Sequence, residues 1–220
     1  MTFFTSLNST TAFSRWGEMI NGEMINYTLS ALRLAKISNA VSKLHAVVSN
    51  DMWDGYHGIS KIIPITNSQN QKFWQDKELA KAWDEKDTKS FVKRKKDLKA
   101  KLFKEVERQT GKKFDPNVLT IVWARRFAGY KRADLLWQNR ERFLKLMYDA
   151  KQPVQIIWAG KPYPMDYYAI DIFNYLVHNS KEHPNMAVLI GYEIELSRLL
   201  KLGSDVWLNT PRITREASGT

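Results

Sequence analysis

The sequence contains no cysteine, which excludes disulfide bonds and thiolate metal ligands. No apolar run approaches the length of about 18 residues that a membrane-spanning helix needs, and the N-terminus shows no basic head followed by an apolar stretch. We therefore expect a cytoplasmic protein that is neither secreted nor inserted in a membrane. The histidines and carboxylates show no metal-ligand spacing, so no metal site is expected.

Positive charge is abundant, with a formal net charge of +11 over 220 residues, a length that suits one large domain or two small ones. Much of it falls in residues 91–113, where Leu98, Leu102 and Val106 recur every four positions. That spacing predicts an amphipathic helix whose solvated face is basic. No aromatic-rich reading surface accompanies the charge, so no nucleic-acid partner is expected.

The second half of the chain alternates short apolar runs with helical patterns. The runs cover residues 118–123, 154–159, 186–190 and 205–208, and the helical patterns cover 132–149, 166–178 and 193–201. This alternation predicts an α/β fold with a doubly wound parallel sheet. The first half is mainly helical by pattern, over residues 21–50 and again over 76–110, where Gly111 is the predicted C-cap.

Polar segments follow each predicted strand. In chain order they are Arg125–Arg132, Gly160–Lys161, Gly191–Tyr192, and Asn209–Arg212 with Glu216 after it. Parallel sheets bind ligands beyond the carboxyl ends of their strands. We therefore predict a functional site at that edge.

Two of these segments suggest a site where a sugar meets a phosphate. Residues 125–132 hold four cations, and arginine can bind phosphate through two parallel hydrogen bonds. In Glu216–Thr220, small residues would let the backbone approach a ligand while Glu216 accepts from sugar hydroxyls. From residue types alone, an ordinary basic loop and an ordinary polar turn remain open, and His45 fits a packed side chain.

Several motifs resemble the α-glucan phosphorylases, the family of glycogen, starch and maltodextrin phosphorylases. The similar segments are Asn39–His45, Ile65–Asn67 with Trp74, Arg125–Arg132, Asp205–Pro211 and Glu216–Thr220. The resemblance implies an incomplete two-domain glycosyltransferase-B type fold. Residues 1–112 would be the last part of the N-terminal domain with linking helices, and residues 113–220 the first part of the C-terminal, Rossmann-like domain.

The resemblance also implies a reaction. A phosphorylase transfers the terminal glucosyl unit of an α-1,4-glucan to inorganic phosphate, which gives glucose 1-phosphate, with assistance from the phosphate of pyridoxal phosphate. By position, Arg126 and Lys131 would hold the substrate phosphate, and His45 would offer its backbone carbonyl to the glucosyl carbon. Glu216, Ser218 and Gly219 would bind the glucosyl unit, and Arg125, Tyr192 and Thr220 would lie near the cofactor.

The sequence departs from the family in two ways. Its last residue, Thr220, precedes the position of the lysine that forms the Schiff base with the cofactor, and Ala40 and Ser68 replace two family glycines. We expect a fragment or a truncated reading frame. A two-domain enzyme of this kind binds its substrate between the domains, so the chain by itself is expected to be inactive.

Two other functions remain open. A glycogen-synthase-like nucleotide-sugar glucosyltransferase would use an arginine and a lysine at the spacing of Arg125–Lys131 to hold its donor diphosphate. A non-catalytic remnant that binds glucan or phosphate is the second. Oligomeric state, regulation and preferred glucan length are not set by these motifs.

Overall fold

The structure, a computed structural model, describes residues 19–20, 24–191 and 193–217. These residues form two compact units. The first comprises the described residues up to Ser68 together with Glu216 and Ala217, and the second comprises Gln69–Arg215.

The first unit contains short elements. Strands β1 (Met19–Ile20) and β2 (Met24–Ile25) pair antiparallel, β3 (Asn39–Ala40) and β4 (Ile63–Pro64) pair parallel, and the helices are α1 (Tyr27–Leu34) and α2 (Lys43–Met52). The predicted helical stretch over residues 21–50 is therefore interrupted. The reason is local, because the Ser42 side chain accepts from the amide of His45 and starts a new helix from extended backbone.

The second unit begins with helices α3 (Gln71–Trp74), α4 (Lys77–Asp84) and α5 (Thr88–Thr110). The predicted helical stretch over residues 76–110 is interrupted at Lys86, whose backbone is left-handed with φ 56°. Asp87 then caps α5 by accepting from the amide of Ser90 at 3.0 Å. The predicted C-cap is confirmed, since Gly111 follows α5 with φ 72°.

The rest of the second unit is a four-stranded parallel sheet with its helices. The strands are β5 (Leu119–Ala124), β6 (Val154–Ala159), β7 (Met186–Leu189) and β8 (Val206–Trp207), in the order β7-β6-β5-β8. The later helices are α6 (Arg140–Met147), α7 (Tyr167–Glu182) and α8 (Ile194–Gly203), and residues 129–131 and 135–139 form short 3-10 turns. The predicted helix over 132–149 is thus shorter than expected.

Alternate residues of the strands point to opposite faces of the sheet. Trp123 and Trp158 pack on one face with residues of α6 and α7, and Val122 and Ile157 pack on the other with residues of α5 and α8. The predicted doubly wound α/β fold is confirmed. The strand order reverses between β5 and β8, and such a reversal is where open α/β sheets bind ligands.

Helix α5 contributes to the core of the sheet rather than to the first unit. Leu102, Phe103 and Val106 lie in the same buried cluster as Ile157. The compact units divide after Ser68, and the division of the family's two domains at 112/113 stays a prediction. Within the part of the chain that the structure describes, no helix is long and apolar enough to cross a membrane.

Candidate anion site at the carboxyl ends of the strands

The segment Arg125–Arg132, here called the basic loop, leaves the end of β5 and lies beside the segment that follows β6. The amide of Arg125 donates to the carbonyl of Ala159 at 3.0 Å, and the amide of Phe127 donates to the carbonyl of Lys161 at 3.1 Å. Gly160 makes this approach possible, because its φ is +142° and a Cβ there would lie 1.9 Å from the carbonyl oxygen of Arg125. The first part of the loop is thereby fixed.

Thr210, which follows β8, fixes the far end of the basic loop. The indole Nε1 of Trp123 donates to the Thr210 hydroxyl at 3.1 Å. That hydroxyl faces the carbonyl oxygens of Lys131 and Arg132 at 2.9 and 3.2 Å. Trp123, Lys131 and Thr210 are buried, and hydrogen bonds between buried groups are strong because water does not compete for them.

The Arg132 side chain and one backbone amide add a second connection between the same two loops. Arg132 donates from Nε to the carbonyl of Thr210 at 2.8 Å and from Nη2 to that of Pro211 at 3.2 Å. The amide of Arg212 donates to the carbonyl of Tyr130 at 2.8 Å. The loops after β5 and β8 are therefore joined at the point where the strand order reverses.

The cations of the basic loop occupy different environments. Arg126 is exposed, Arg125 is partly buried, and Lys131 is buried with its Nζ 5.0 Å from the centre of the Tyr130 ring. Arg132 uses its guanidinium to bind the neighbouring loop. The structure thus places three predicted site residues, Arg125, Arg126 and Lys131, in one fixed loop with donors suited to an anion.

The first unit holds His45 and Glu216. The imidazole Nδ1 of His45 accepts from the amide of Val41 at 3.1 Å, so the ring hydrogen is assigned to Nε2. Ser42 accepts from the amide of His45 and donates its hydroxyl to the carbonyl of Ala217 at 2.6 Å. The segment that begins at the half-buried Glu216 is thereby attached to the helix that carries His45.

Several residues of the site go beyond the sequence predictions, and some predictions cannot be placed. In the second unit, Gly160 and Thr210 lie in predicted segments, but their part in holding the basic loop was not predicted. In the first unit, Ser42 holds the segment at Ala217, and it carries a local signal as a serine at a helix start. Tyr192, Ser218, Gly219 and Thr220 lie outside the described residues. Among the residues that the structure describes, no group of three histidine or carboxylate side chains could hold a metal ion.

Comparison with known proteins gives relatives along most of the chain, although no family model matches. An uncharacterized protein of Methanocaldococcus jannaschii is 45% identical over 203 residues, which cover 92% of this chain and 39% of that protein. A maltodextrin phosphorylase of Thermococcus litoralis is 32% identical over 240 residues, 90% of this chain and 29% of the relative. A glycogen phosphorylase of Aquifex aeolicus is 32% identical over 241 residues, 90% of this chain and 35% of the relative.

The parallel sheet, its reversal of strand order and its loops agree with part of a glycosyltransferase-B type fold. Over about 90% of its length, the chain is similar to part of the α-glucan phosphorylases described above. It spans between 29% and 39% of the length of the three relatives described above.

Proposed function

We propose that the protein functions as part of an α-1,4-glucan phosphorylase, which transfers a terminal glucosyl unit of glycogen or maltodextrin to inorganic phosphate and yields glucose 1-phosphate. The 220-residue chain by itself is expected to be inactive. The observation that carries this proposal is the basic loop, held by Gly160 and Thr210 at the reversal of strand order. Relatives named maltodextrin and glycogen phosphorylase favour this function over a nucleotide-sugar glucosyltransferase or a binding remnant.

Arg126 and Lys131 are the residues proposed to hold the substrate phosphate. The exposed guanidinium of Arg126 is suited to two parallel hydrogen bonds to phosphate oxygens, whereas the buried ammonium of Lys131 acts as a point charge. Because the loop is fixed before the ligand arrives, little ordering accompanies binding, and the charges can stabilise the phosphate during transfer.

His45 and Glu216 are proposed to act on the sugar. The carboxylate of Glu216, with Ser218 and Gly219, would bind glucosyl hydroxyls, and the backbone carbonyl of His45 would face the glucosyl carbon as positive charge develops there. Support comes from the hydrogen bond between Ser42 and Ala217, which ties the Glu216 segment to α2.

Pyridoxal phosphate is the proposed cofactor, and the residues present fit an anionic group. Arg125 supplies a cation at the start of the basic loop, and the absence of a side chain at Gly160 brings two backbone segments close together there. Arg125, Tyr192 and Thr220 are the residues proposed to hold the cofactor. When bound, its phosphate would assist proton exchange with the substrate phosphate.

A titration of the chain with inorganic phosphate, followed by ³¹P NMR, tests the anion site. We expect the exposed substitution Arg126→Ala to weaken binding at least about tenfold, the equivalent of about 1.4 kcal/mol. Arg108→Ala is the matched control, because Arg108 is an exposed arginine of α5 that pairs with Glu105 and lies outside the basic loop. Equal affinity in the parent and Arg126→Ala would contradict the assignment.

The transfer reaction needs a separate assay. Release of glucose 1-phosphate from maltodextrin by a two-domain protein that contains this chain, in the presence of phosphate and pyridoxal phosphate, distinguishes phosphorolysis from binding alone. The 220-residue chain by itself should release none. A requirement for a nucleotide sugar instead would favour the glucosyltransferase alternative.

A further inference from the structure

The 3-10 turn Gly129–Lys131 is the part of the basic loop that contains Lys131, and a strained residue follows it. Arg132 has a left-handed backbone with φ 50°. Bulky residues rarely adopt this conformation, and it persists only where the surrounding structure holds it. The position of Lys131 therefore depends on what contacts the turn from each side.

The loop after β8 holds the later residues of this segment. Its hydrogen bonds reach the carbonyl oxygens of Tyr130, Lys131 and Arg132. These bonds act on the chain after Gly129, the first residue of the turn. The beginning of the turn is contacted from a different direction, by helix α7.

The contact between α7 and the beginning of the turn is made by the ring of Tyr168. A Cβ at Gly129 would lie 2.7 Å from Cε1 and 2.9 Å from Cδ1 of this ring, so the ring packs directly on the glycine backbone. Further along α7, the ring of Phe173 meets that of Phe127 edge-on, with 5.1 Å between the ring centres. Helix α7 thus supports the basic loop both before the turn and at its first residue.

The start of α7 is itself fixed, which makes Tyr168 a rigid support. Asp166 caps the helix by accepting from the amide of Ala169 at 3.0 Å. Just before the helix, Pro162 forms a parallel bridge with Phe127 of the basic loop. The backbone of Tyr168, in the first turn of the helix, is therefore held in place relative to the loop.

Burial in the core does not explain the position of Tyr168. Its side chain is 64% exposed, and the buried positions of α7 are occupied by residues such as Ile172 and Leu176. Exposed side chains contribute little to global stability. The effect of the Tyr168 ring should therefore be local, at the turn that it covers.

We propose that Tyr168 is a positioning residue of the anion site, which holds the turn Gly129–Lys131 from the side of α7 and so keeps Lys131 in place for phosphate. The inference rests on the proposed function, because that function assigns phosphate binding to Lys131. A turn held from both sides needs little ordering when an anion arrives. Tyr168 acts through the turn and not by contact with the anion.

Titration of the full chain with inorganic phosphate, followed by ³¹P NMR, tests the inference. We expect Tyr168→Ala to weaken phosphate binding at least about fivefold, because Lys131 must then be ordered during binding. Tyr168→Phe keeps the ring and should stay within about twofold of the parent. Tyr167→Ala is the matched control, because Tyr167 is the neighbouring tyrosine of α7 and is 68% exposed, and it should change nothing.

Two further measurements separate positioning from a general structural role. The midpoint of urea denaturation should move by less than about 0.3 M in Tyr168→Ala. Amide hydrogen exchange should instead become at least about tenfold faster at Lys131 and Arg132. Their amides donate to the carbonyls of Ala128 and Gly129 within the turn. Exchange in β6 should stay as it is in the parent.

Gly129→Ala tests the same contact from the side of the loop. Its new methyl group would displace the Tyr168 ring, so it should weaken phosphate binding about as much as Tyr168→Ala does. In a chain that already carries Tyr168→Ala, Gly129→Ala should have no further effect, because residues in contact are not independent. Additive effects of the two substitutions would contradict the inference.

Other outcomes would also overturn the inference. Undiminished phosphate binding by Tyr168→Ala would exclude the positioning role, while weakened binding by Arg126→Ala would still support the anion site. Equal weakening by Tyr168→Phe would assign the effect to the hydroxyl group, and equal weakening by Tyr167→Ala would assign it to the helix surface in general. A parent chain that binds no phosphate would reject the anion site and the positioning role with it.

Discussion

The central sheet has one edge at the amino ends of its strands, here called the amino edge, and one at their carboxyl ends, here called the carboxyl edge. Positive charge has a different role at each edge. At the amino edge, a lysine of α5 donates hydrogen bonds to oxygen atoms of the protein. Lys99 donates to the carbonyl of Val118 at 2.7 Å and to Asp205 at 2.5 Å. Just beyond the helix, Lys112 donates to the carbonyls of Ser180, His183 and Met186. These cations connect the starts of three strands, so their role is structural.

At the carboxyl ends, the basic loop is held mainly by Gly160, Thr210 and the guanidinium of Arg132, while Arg126 reaches solvent. The net charge of this protein therefore does not indicate its function. The role of a cation depends on the edge of the sheet at which it lies. The comparison makes a specific claim: substitutions at the amino edge should cost stability and spare phosphate binding, and exposed cations at the carboxyl edge should do the reverse.

Gly160→Ala should have the largest effect, because it should lower both the stability of the protein and its affinity for phosphate. The new Cβ would overlap the backbone oxygen of Arg125 at a φ that side chains rarely adopt. We expect a loss of at least about 3 kcal/mol in the free energy of unfolding, measured by urea denaturation, and loss of phosphate binding. Gly55→Ala is the control, since a Cβ there meets no atom within 4 Å. Similar stability of the two variants would show that the loop can move away.

Lys99→Met should have the next largest effect. It removes one partner of an ion pair whose lysine side chain is only 5% exposed, and leaves Asp205 with the amide of Thr120. The expected loss is about 3 kcal/mol by urea denaturation, with phosphate affinity within about twofold of the parent. Lys101→Met, two residues along the same helix but exposed, should change stability by less than about 0.5 kcal/mol. If Lys99→Met left the free energy of unfolding unchanged, the structural role assigned to the amino edge would be wrong.

Acid should weaken the amino edge to a smaller extent through His183. Burial lowers the pKa of this imidazole, which lies 2.8 Å from the Tyr148 hydroxyl. Because the unfolded state takes up the proton first, stability should decline as the pH falls from 7 through about 6.5 towards the lowered pKa. Urea denaturation at pH 7 and pH 5 should show a smaller decline for His183→Gln. The exposed His178→Gln should behave as the parent does, and an identical decline in all three proteins would assign the effect to other groups.

The sequence predicted the sheet better than the details of the helices. Buried parallel strands are apolar throughout, so β5 and β6 were visible as runs, and the loop after β5 could be expected at the ligand edge. The interruptions at Ser42 and Lys86 were missed, because a single cap or one left-handed residue outweighs apolar periodicity. The sequence placed the segments of Thr210 and Lys131 at one edge but could not predict the hydrogen bond between these residues, which lie 79 positions apart. In the first unit, the hydrogen bond of Ser42 to Ala217 spans 175 residues and was not predictable either.

Arg126→Ala should have the smallest effect on stability and gives the sharpest test of the comparison. Its side chain is exposed, so the free energy of unfolding should change by less than about 0.5 kcal/mol. Phosphate at a hundred times the parent's Kd should stabilise the parent by about 2.7 kcal/mol. Thermal unfolding should show this gain in full in Lys99→Met, but a variant with tenfold weaker binding, as expected for Arg126→Ala, should keep at most about 1.4 kcal/mol of it. If both variants kept the full gain, the anion would bind elsewhere. If the gain were reduced equally in both, the two edges would be coupled through the sheet and the functional distinction between them would fail.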